Sequence, residues 1–481
     1  MTGQAAPMQP ADSILWRIER DAVLRSTITA VTLLDRTPDW SRLRHRTGAA
    51  ADTISRLRQV VAEPIWPVGS PHWSPADEFD LDYHLRQLSL PGEPGLDAVL
   101  DFAAREAMKG FDHTRPLWEF TLVSGLSGGQ AALVEKFHHA VTDGLGGMQL
   151  ALQMLDASRD AADLVAAVRG RGELHPPSNG RPLRRTIAAA RAAAALDADL
   201  VRAVIRAGTT PVRSTRELLD TARWAARLLA PSGAPLSPLM LGRSTRLRFA
   251  AFDTDLDRLR QAAHHAGGSL NDAFVAAVVA GLRRYHETQG ASVSRLRMTL
   301  PVSIRRPGDP LEQNRFTPVR FVVPVLASGE SPALAVQAIS TIIRSWRASP
   351  ALGLSDGLAR LLNALPTEAV SRVFGSLLKN VDFVATNVPG LAVPYYLAGA
   401  KLVGQYAFAP PSGAALNVAL VSHLERVCVG VNMDPAAVTD TPLMTRSLED
   451  GFAEVLESRV ARHAAAHGRP ARPRAKGGGG S

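Results

Sequence analysis

Two adjacent histidines, followed by an aspartate and a run of glycines, carry the clearest chemical signal in this sequence. The segment reads EKFHHAVTDGLGG and contains His138, His139, Asp143 and Gly144. Imidazole can accept a proton at neutral pH and return it within one turnover, because its ordinary pKa lies near that pH. Adjacent residues of a strand point to opposite faces, so only one histidine of the pair can face a given cavity. The spacing therefore predicts one general base and one packed neighbour.

No nucleophile accompanies the two histidines. Ser124 and Ser127 lie nearby, but they lack the strand, sharp turn and helix that a G-x-S-x-G nucleophile requires. A single imidazole therefore favours direct transfer, in which a substrate hydroxyl or amine is deprotonated and attacks an activated acyl group without an acyl-enzyme. Asp143 fits two roles, a hydrogen bond to the catalytic ring or an ion pair with a distant arginine.

Three other interpretations of the segment stay open. The histidines could be buried and satisfied, with no chemistry. They could bind a metal together with Asp143, although no third ligand follows at a metal-binding spacing. The GLGG run could hold a phosphate, although it matches neither nucleotide-binding fingerprint. We expect no metal and no cofactor.

Short strands and amphipathic helices must position this segment. Residues 28–34, 118–123 and 131–137 are β-branched or aromatic-rich runs between turn formers, which is typical of strands. Residues 96–108 and 148–157 space their apolar side chains as amphipathic helices do. The last of these strands runs directly into the histidine pair, so the pair lies where a strand exits into a loop.

The chain divides into two α/β units joined by a connector. We expect an N-terminal lobe at 1–165, a basic helical connector at 166–240, a C-terminal lobe at 241–465 and a disordered tail at 466–481 that ends in a GGGGS linker. The C-terminal lobe has helix patterns and strand patterns, followed by a β-rich stretch and a last helix. The helices are predicted at 256–266, 271–286, 333–346, 368–378 and 443–462, and the strands at 246–252, 296–304, 319–325 and within 383–431.

Composition narrows the class of protein. With 21% charged residues and no long uninterrupted apolar run, the 481-residue chain is not a transmembrane bundle, and its lone Cys428 cannot form an intrachain disulfide. The N-terminus lacks the pattern of an export signal, so a cytoplasmic location is expected. The net charge of +9 is uneven, since residues 181–227 hold ten arginines against four acids and residues 459–476 hold six cations and no acid. These two segments carry more positive charge than the net charge of the whole chain, so the lobes themselves are mildly acidic. A mildly acidic surface disfavours nucleic acid as a partner.

Six ordered blocks give the sequence a family resemblance. HHxxxDG is the signature of the chloramphenicol acetyltransferase-like, CoA-dependent acyltransferases, and the other blocks make the chain similar to bacterial wax ester synthase/diacylglycerol O-acyltransferases. The blocks are FDLDYHLRQLSLPGEPG (79–95), RPLWEF (115–120), FHHAVTDGLGG (137–147), SLNDAFVAAVVAGLRRY (269–285), LPVSIRR (300–306) and ATNVPG (385–390). The resemblance implies two lobes with mixed sheets and an active site in a tunnel between them.

The resemblance also implies roles for the residues of the histidine block. His139 would be the general base, and His138 would be the packed neighbour beside it in the catalytic motif. Asp143 and Gly144 would shape the loop around the two histidines. Asn271 would lie near the active site and hydrogen-bond the base or the developing oxyanion. Asn387 would line the tunnel.

The remaining motif residues have simpler structural explanations. The start of a strand with an aromatic side chain in the core would account for Pro116, Leu117 and Trp118. Asp272 describes the first turn of a helix, an explanation that would also account for Asn271. Arg305 belongs to the LPVSIRR block, for which we expect a structural role.

The implied activity is transfer of a long acyl group from acyl-CoA to diacylglycerol or a fatty alcohol. Two alternatives remain: a carrier-protein-dependent condensation or polyketide-associated acyltransferase, disfavoured by the lack of a carrier domain, and a non-catalytic lipid-binding protein.

The sequence departs from the family at 12–35, which lacks a Pro-Met-His stretch, and at 313–316, where QNRF replaces a Gly-Asn pair. Both segments are expected on the acceptor side.

Residues 183–206 of the connector interleave apolar side chains with cations. This pattern has two interpretations: an interfacial helix that lies on a membrane or lipid droplet, and a connector with a solvated basic face.

Overall fold

The computed structural model describes residues 6–64, 70–142, 147, 151–160, 233–303, 316–347, 366–390 and 392–457. The helices are α1 (Pro10–Ile18), α2 (Trp40–Thr53), α3 (Leu81–His84), α4 (Leu96–Met108), α5 (Leu256–His265), α6 (Leu270–Thr288), α7 (Pro332–Arg347), α8 (Thr367–Leu378) and α9 (Thr441–Glu457). The strands are β1 (Ala6–Pro7), β2 (Thr27–Leu34), β3 (Gln59–Ala62), β4 (His72–Pro75), β5 (Leu85–Ser89), β6 (Trp118–Ser124), β7 (Ala131–His138), β8 (Leu155–Asp156), β9 (Arg248–Asp255), β10 (Arg295–Ser303), β11 (Phe316–Pro324), β12 (Phe383–Val388), β13 (Tyr396–Leu397), β14 (Ala400–Phe408), β15 (Leu416–His423) and β16 (Arg426–Met433).

Two large mixed sheets form the framework. The first has the strand order β5-β6-β7-β2-β14-β13-β8, in which β5 and β6 are parallel. The second has the order β11-β10-β12-β15-β16-β9, in which β12 runs parallel to both of its neighbours. A small third sheet joins β1, β4 and β3. Mixed sheets with flanking helices confirm the α/β class predicted from the sequence.

Strand β7 lies inside the first sheet, between β6 and β2, and all eight of its residues are buried. Its side chains alternate between two apolar clusters. Leu133 and Phe137 pack in the cluster that includes Trp118, whereas Ala132 and Val134 pack in the cluster that includes helix α4. Burial on both faces fixes the register of β7, because a slip of one residue would exchange the two sets of side chains. The histidines that follow are therefore held at one defined edge of the sheet.

The C-terminal half of the chain completes the first sheet. Strand β14 pairs with β2 from Leu402 opposite Leu34 to Phe408 opposite Thr29, with an irregularity between Leu402 and Gly404. Strand β13 continues the sheet and pairs with β8. The sequence showed the β-rich character of this stretch but gave no indication that its strands join the first sheet.

The two large sheets meet along β14. A Cβ atom on Gly430 of β16 would lie 2.1 Å from the carbonyl oxygen of Ala407 of β14, so only glycine permits this approach. Phe249 of β9 stacks on Phe408 of β14 with ring centroids 4.2 Å apart. The lobes thus share an apolar cluster instead of meeting through solvent.

Helix α6 is the central helix of the second lobe. Ser269 caps its N-terminus, and the Ser269 hydroxyl and the Asp272 carboxylate exchange hydrogen bonds with each other's backbone amides. A Cβ atom on Gly451 of α9 would lie 2.3 Å from the nitrogen of Gly281 of α6. The absence of both side chains brings α6 and α9 into backbone contact.

Most predicted elements agree with the structure to within a few residues, but the helix predicted at 148–157 does not extend that far. Residues 151–154 are helical, and Leu155–Asp156 forms β8. Pairing with β13 imposes the extended conformation there. None of the described helices has the length and apolar composition needed to cross a bilayer.

Candidate active site

The histidine pair lies at the end of β7 and is held by backbone hydrogen bonds to the residues that precede the two neighbouring strands. The His138 amide donates to the Leu117 carbonyl at 3.0 Å, and the His139 amide donates to the Ser26 carbonyl at 2.8 Å. The chain then turns, since the Val141 amide donates back to the His138 carbonyl at 2.9 Å. The backbone of the pair is therefore fixed on both sides before the loop begins.

The His138 ring is fully buried, and each of its nitrogens faces a polar neighbour. Nδ1 accepts the backbone N–H of Ala140 at 3.0 Å, so the ring proton of the neutral imidazole lies on Nε2. Nε2 lies 3.3 Å from Oε2 of Glu19. The rings of Trp16 and Phe111 pack at centroid distances of 5.4 Å and 6.2 Å. This environment gives His138 a fixed tautomer and no open side toward a substrate.

Glu19 follows α1 and joins three segments of the site. Its Oε1 accepts the backbone N–H of Ser26 at 2.6 Å, while Oε2 faces His138. Burial acts to raise the pKa of Glu19, but the neighbouring His138 ring, the Ser26 amide and Arg25 together hold that pKa below its usual value. Glu19 is therefore ionised at neutral pH and anchors the ring of His138.

His139 differs from His138 in its exposure. Its backbone is fixed by Ser26, but its side chain remains partly exposed, whereas that of His138 is fully buried. Of the two rings, His139 is the one that a substrate can approach. The role of general base that the family resemblance implies for His139 stays a prediction.

Pro116, Leu117 and Trp118 are all buried and form part of the wall behind the pair. Leu117 supplies the carbonyl that holds His138, and the Trp118 indole N–H donates to the Leu57 carbonyl at 2.9 Å. The His84 ring stacks on Trp118 at 4.5 Å, and its Nδ1–H donates to the Trp118 carbonyl at 2.7 Å. Burial lowers the pKa of His84 despite this hydrogen bond, which keeps the ring neutral. The RPLWEF block and the FDLDYH block are thus one packed unit.

Asn271 lies in the first turn of α6, between the two residues of its capping box. The capping box accounts for Ser269 and Asp272. Asn271 is partly exposed, yet its side-chain Nδ2 is buried and finds no hydrogen-bond acceptor among the described residues. The helix cap therefore explains Asp272 and leaves the Asn271 amide available to another group.

Asn387 lies near the end of β12, opposite Leu420 of β15, and is partly exposed. Two residues later the chain turns at Pro389 and Gly390. The Gly390 amide donates to the Ser422 hydroxyl at 3.0 Å, and a Cβ atom there would lie 1.6 Å from the Ser422 carbonyl oxygen. The glycine of the ATNVPG block is therefore required by the close approach of two backbones.

A narrow cleft lies between the lobes beside the start of β2; it opens partly to solvent and has a cavity volume of about 30 Å³. We call it the interlobe cleft. The first lobe contributes Arg25 and Thr27, and the second contributes Ser244, Thr245 and Asp434. The other lining residues are Ala22, Val23, Ala107, Met108, Leu247, Pro410, Pro411, Gly413 and Ala414.

Comparison with known proteins identifies the family. Residues 8–274 match the wax ester synthase/diacylglycerol acyltransferase catalytic domain, and residues 312–455 match the C-terminal domain of the same family. The chain belongs to the wax ester synthase/diacylglycerol acyltransferase family. The family predicted from the sequence is thereby confirmed, and the chain is an acyltransferase.

Individual relatives agree with this family assignment. A putative diacylglycerol O-acyltransferase of Mycobacterium tuberculosis is 37% identical over 93% of this chain and 91% of the relative. The solved wax ester synthase/diacylglycerol acyltransferase of Marinobacter aquaeolei shares the fold with a TM-score of 0.60 and 22% identity, over 94% of this chain and 98% of that one. The first condensation domain of the CDA synthetase has the same fold, with a TM-score of 0.61 and 17% identity over 95% and 96% of the two chains.

The site of this wax ester synthase/diacylglycerol acyltransferase family member includes residues that the sequence did not indicate. Glu19 and Ser26 hold the pair, but no local pattern marks them because their partners lie far along the chain. Asp143, Gly144 and Arg305 lie outside the described residues. Within the described part of the chain, no group of three or more His, Cys, Asp or Glu side chains is arranged to hold a metal ion.

Proposed function

We propose that this acyltransferase moves a long-chain acyl group from acyl-CoA to the hydroxyl of diacylglycerol or a fatty alcohol, and so makes triacylglycerol or wax ester. The family domains and the name of the M. tuberculosis relative support this class of substrates. One observation carries the chemical part of the proposal: the ring of His138 is buried, with Nδ1 hydrogen-bonded and Nε2 facing Glu19, while the adjacent His139 is partly exposed. The pair thus offers one imidazole to a substrate.

His139 acts as the general base in this proposal. It takes the proton of the acceptor hydroxyl as the oxygen attacks the thioester carbonyl and forms the new C–O bond. The C–S bond then breaks, and the protonated imidazole returns the proton to the CoA thiolate. No acyl-enzyme forms, and acyl-CoA is a substrate, so no cofactor is required.

Asn271 is proposed to stabilise the oxyanion of the tetrahedral intermediate, because its buried side-chain N–H group is a donor without an acceptor among the described residues. Asn387 is proposed to line the tunnel near the end of β12. Asp143 and Gly144 are proposed to shape the loop that follows His139. The cost of leaving a buried amide donor unpaired supports the role of Asn271 most directly.

A product profile tests this function. Purified full-length protein is given labelled acyl-CoA together with hexadecanol, diacylglycerol and water, and the lipids are separated by thin-layer chromatography. We expect labelled triacylglycerol or wax ester and stoichiometric CoA release. Free fatty acid alone would contradict the proposal, and so would the absence of any CoA release, which is the result expected of a non-catalytic lipid-binding protein.

A second arm addresses the carrier-dependent alternative, whose fold this chain shares. The same acyl group is offered on CoA and on a phosphopantetheinyl carrier protein. We expect CoA to be the better donor. A large preference for the carrier protein would instead assign the chain to the condensation-type acyltransferases.

We also propose that the enzyme is cytoplasmic and contacts a membrane or lipid droplet peripherally through its basic connector. The ten arginines of residues 181–227 and the apolar side chains between them support this contact. Flotation with liposomes that contain anionic lipid should recover the protein at low salt and lose it at high salt. Failure to float at low salt would show that the connector only presents a solvated basic face.

A further inference from the structure

Helix α1 lies between the two lobes, and one side of it supports the histidine pair. The ring of Trp16 packs on that of His138 with the ring centroids 5.4 Å apart, and the Trp16 indole N–H donates to the Glu63 carboxylate. Glu19, the residue that ends α1, places its Oε2 3.3 Å from Nε2 of His138. The position of the buried His138 ring therefore depends on the position of α1.

The other side of α1 packs on the second lobe. Ile14 and Ile18 lie in a buried apolar cluster with Val370 of helix α8. A helix turns by about 100° per residue, so these two isoleucines project to the side opposite Trp16. Helix α1 thus connects α8 to the ring of His138.

A buried polar contact strengthens the attachment of α1 to α8. Arg17 is only 3% exposed, and its Nε–H donates to the hydroxyl of Thr367, the first residue of α8, at 3.0 Å. A second pair, Arg20 with Glu368, is exposed on both sides, and exposed ion pairs contribute little. The contacts of Val370 and Thr367 are therefore the ones that fix α1 on α8.

Helix α8 is in turn fixed to the second sheet. Arg320 of β11 donates to the carbonyl of Leu377 in the last turn of α8 at 2.9 Å. Between α8 and β12, the Asp382 amide donates to the Arg297 carbonyl of β10 at 2.9 Å, and the Arg297 amide donates back to the Asp382 carboxylate at 2.7 Å. A shift of the second sheet relative to the first would therefore move α8, and α1 with it.

We infer that α8 of the second lobe positions the histidine pair of the first lobe, by holding α1 so that Trp16 and Glu19 fix the ring of His138. This inference rests on the proposed function, in which His139 is the general base. Thr367 and Val370 are positioning residues, since they act through α1. The base is fully held only while the two lobes keep this arrangement.

Three variants and one control test the role of α8. Val370→Ala removes two methyl groups from the cluster with α1, Thr367→Val removes the hydroxyl with little change in shape, and Thr367→Ser keeps the hydroxyl. Val455→Ala is the matched control, because Val455 of α9 is just as buried but packs in the core of the second lobe itself. For each purified variant, kcat, the KM for acyl-CoA and the melting temperature are measured, with diacylglycerol as acceptor.

We expect Val370→Ala and Thr367→Val to lower kcat about tenfold, since a small displacement in an active site has effects of this size or larger. The KM for acyl-CoA should change less than about twofold, because the substrate contacts are untouched. Thr367→Ser should keep most of the wild-type kcat. Val455→Ala should lower the melting temperature about as much as Val370→Ala does and leave kcat unchanged, which separates positioning from loss of stability.

A double-mutant cycle traces the effect to Glu19. Glu19→Gln already displaces the His138 ring, so adding Val370→Ala should lower kcat less than it does in the wild-type background. Hydrogen exchange of the peptide that contains His138 and His139 gives a measurement without turnover. Exchange should be faster in Val370→Ala than in the wild type, and unchanged in Val455→Ala.

Several outcomes would overturn the inference. These are an equal change of kcat in Val370→Ala and Val455→Ala, a raised KM with an unchanged kcat, and fully additive effects of Val370→Ala and Glu19→Gln. A wild type that releases no CoA with any acceptor would refute the proposed function instead. Hydrogen exchange would still show in that case whether α8 holds the histidine pair.

Discussion

Oε2 of Glu19 lies 3.3 Å from Nε2 of His138, and this contact joins the end of the first helix to the strand that carries the histidine pair. The other carboxylate oxygen accepts the amide of Ser26, whose carbonyl in turn holds the amide of His139. Glu19 is thus connected to both histidines, to one through its ring and to the other through the backbone. In the proposed mechanism, Glu19 and His138 position the pair and His139 is the general base.

Replacing His139 with alanine should abolish nearly all turnover. A general base contributes on the order of 10² to 10⁴ in rate, so CoA release by His139→Ala should fall by at least about a hundredfold. His264→Ala is the control, because His264 is exposed on α5. The measurement is CoA release with acyl-CoA and alcohol in folded, purified protein. Retention of more than roughly a tenth of the activity would refute the assignment of the base.

Replacing Glu19 with glutamine should lower kcat and leave the KM for acyl-CoA nearly unchanged. Glutamine presents an NH₂ group to one of two donors, the Ser26 amide or Nε2–H of His138, so the His138 ring must shift. A small displacement in an active site can cost between about tenfold and hundredfold in rate. Glu368→Gln, which alters the exposed ion pair with Arg20, should have no such effect. Wild-type kcat in Glu19→Gln would show that His138 needs no anionic partner.

Glu135 should make the stability of the fold depend on pH. It is buried in β7, where the Thr32 hydroxyl donates to it at 2.9 Å, and burial raises its pKa to about 7 despite that hydrogen bond. In the unfolded chain this carboxyl ionises near pH 4.5. Between these two values the folded state binds the extra proton, so the free energy of unfolding falls as pH rises from about 4.5 to about 7.

Glu135→Gln should remove this dependence. The amide still accepts a hydrogen bond from Thr32 but carries no charge to bury. At pH 8 the variant should be more stable than wild type by an amount on the order of 3 kcal/mol, and at pH 4 the two should be similar. Urea denaturation at both pH values measures this, with the exposed Glu78→Gln as control. Equal stability of Glu135→Gln and wild type at pH 8 would mean that Glu135 has another partner for its charge.

Replacing Gly430 with alanine should separate the two sheets. The added Cβ atom would lie 2.1 Å from the Ala407 carbonyl oxygen, and neither atom can move away without a shift of the backbone. Overpacking of this kind costs about 1–3 kcal/mol or more, and the melting temperature should fall accordingly. At Gly110, where nothing lies within 4 Å of an added Cβ atom, alanine should be tolerated. A Gly430→Ala protein that melts like the wild type would show that the lobes can move apart freely.

Local pattern predicted much of this structure. Helix α4 has the predicted bounds of 96–108, and α6 at Leu270–Thr288 extends the prediction by only one or two residues at each end. These helices are long and periodic, and Ser269 supplies an explicit cap. The strand that ends in the histidine pair was equally visible, because an apolar run leads directly into a glycine-rich loop.

The parts that could not be predicted depend on contacts between distant segments. Leu155–Asp156 continues a helical pattern, and only its partner in β13 makes it a strand. Glu19 is one of many acidic residues until its contact with His138 is seen.

The insertion of β14 next to β2 means that the enzyme cannot be divided at its apparent midpoint. An N-terminal fragment that stops before β14 would contain the histidines and all of β7, yet β2 would be left with an unpaired edge. Such an edge recruits other chains, so the fragment should aggregate unless the missing segment is supplied. During synthesis on the ribosome, the sheet of the first lobe can therefore be completed only after β14, near the end of the chain, has been translated.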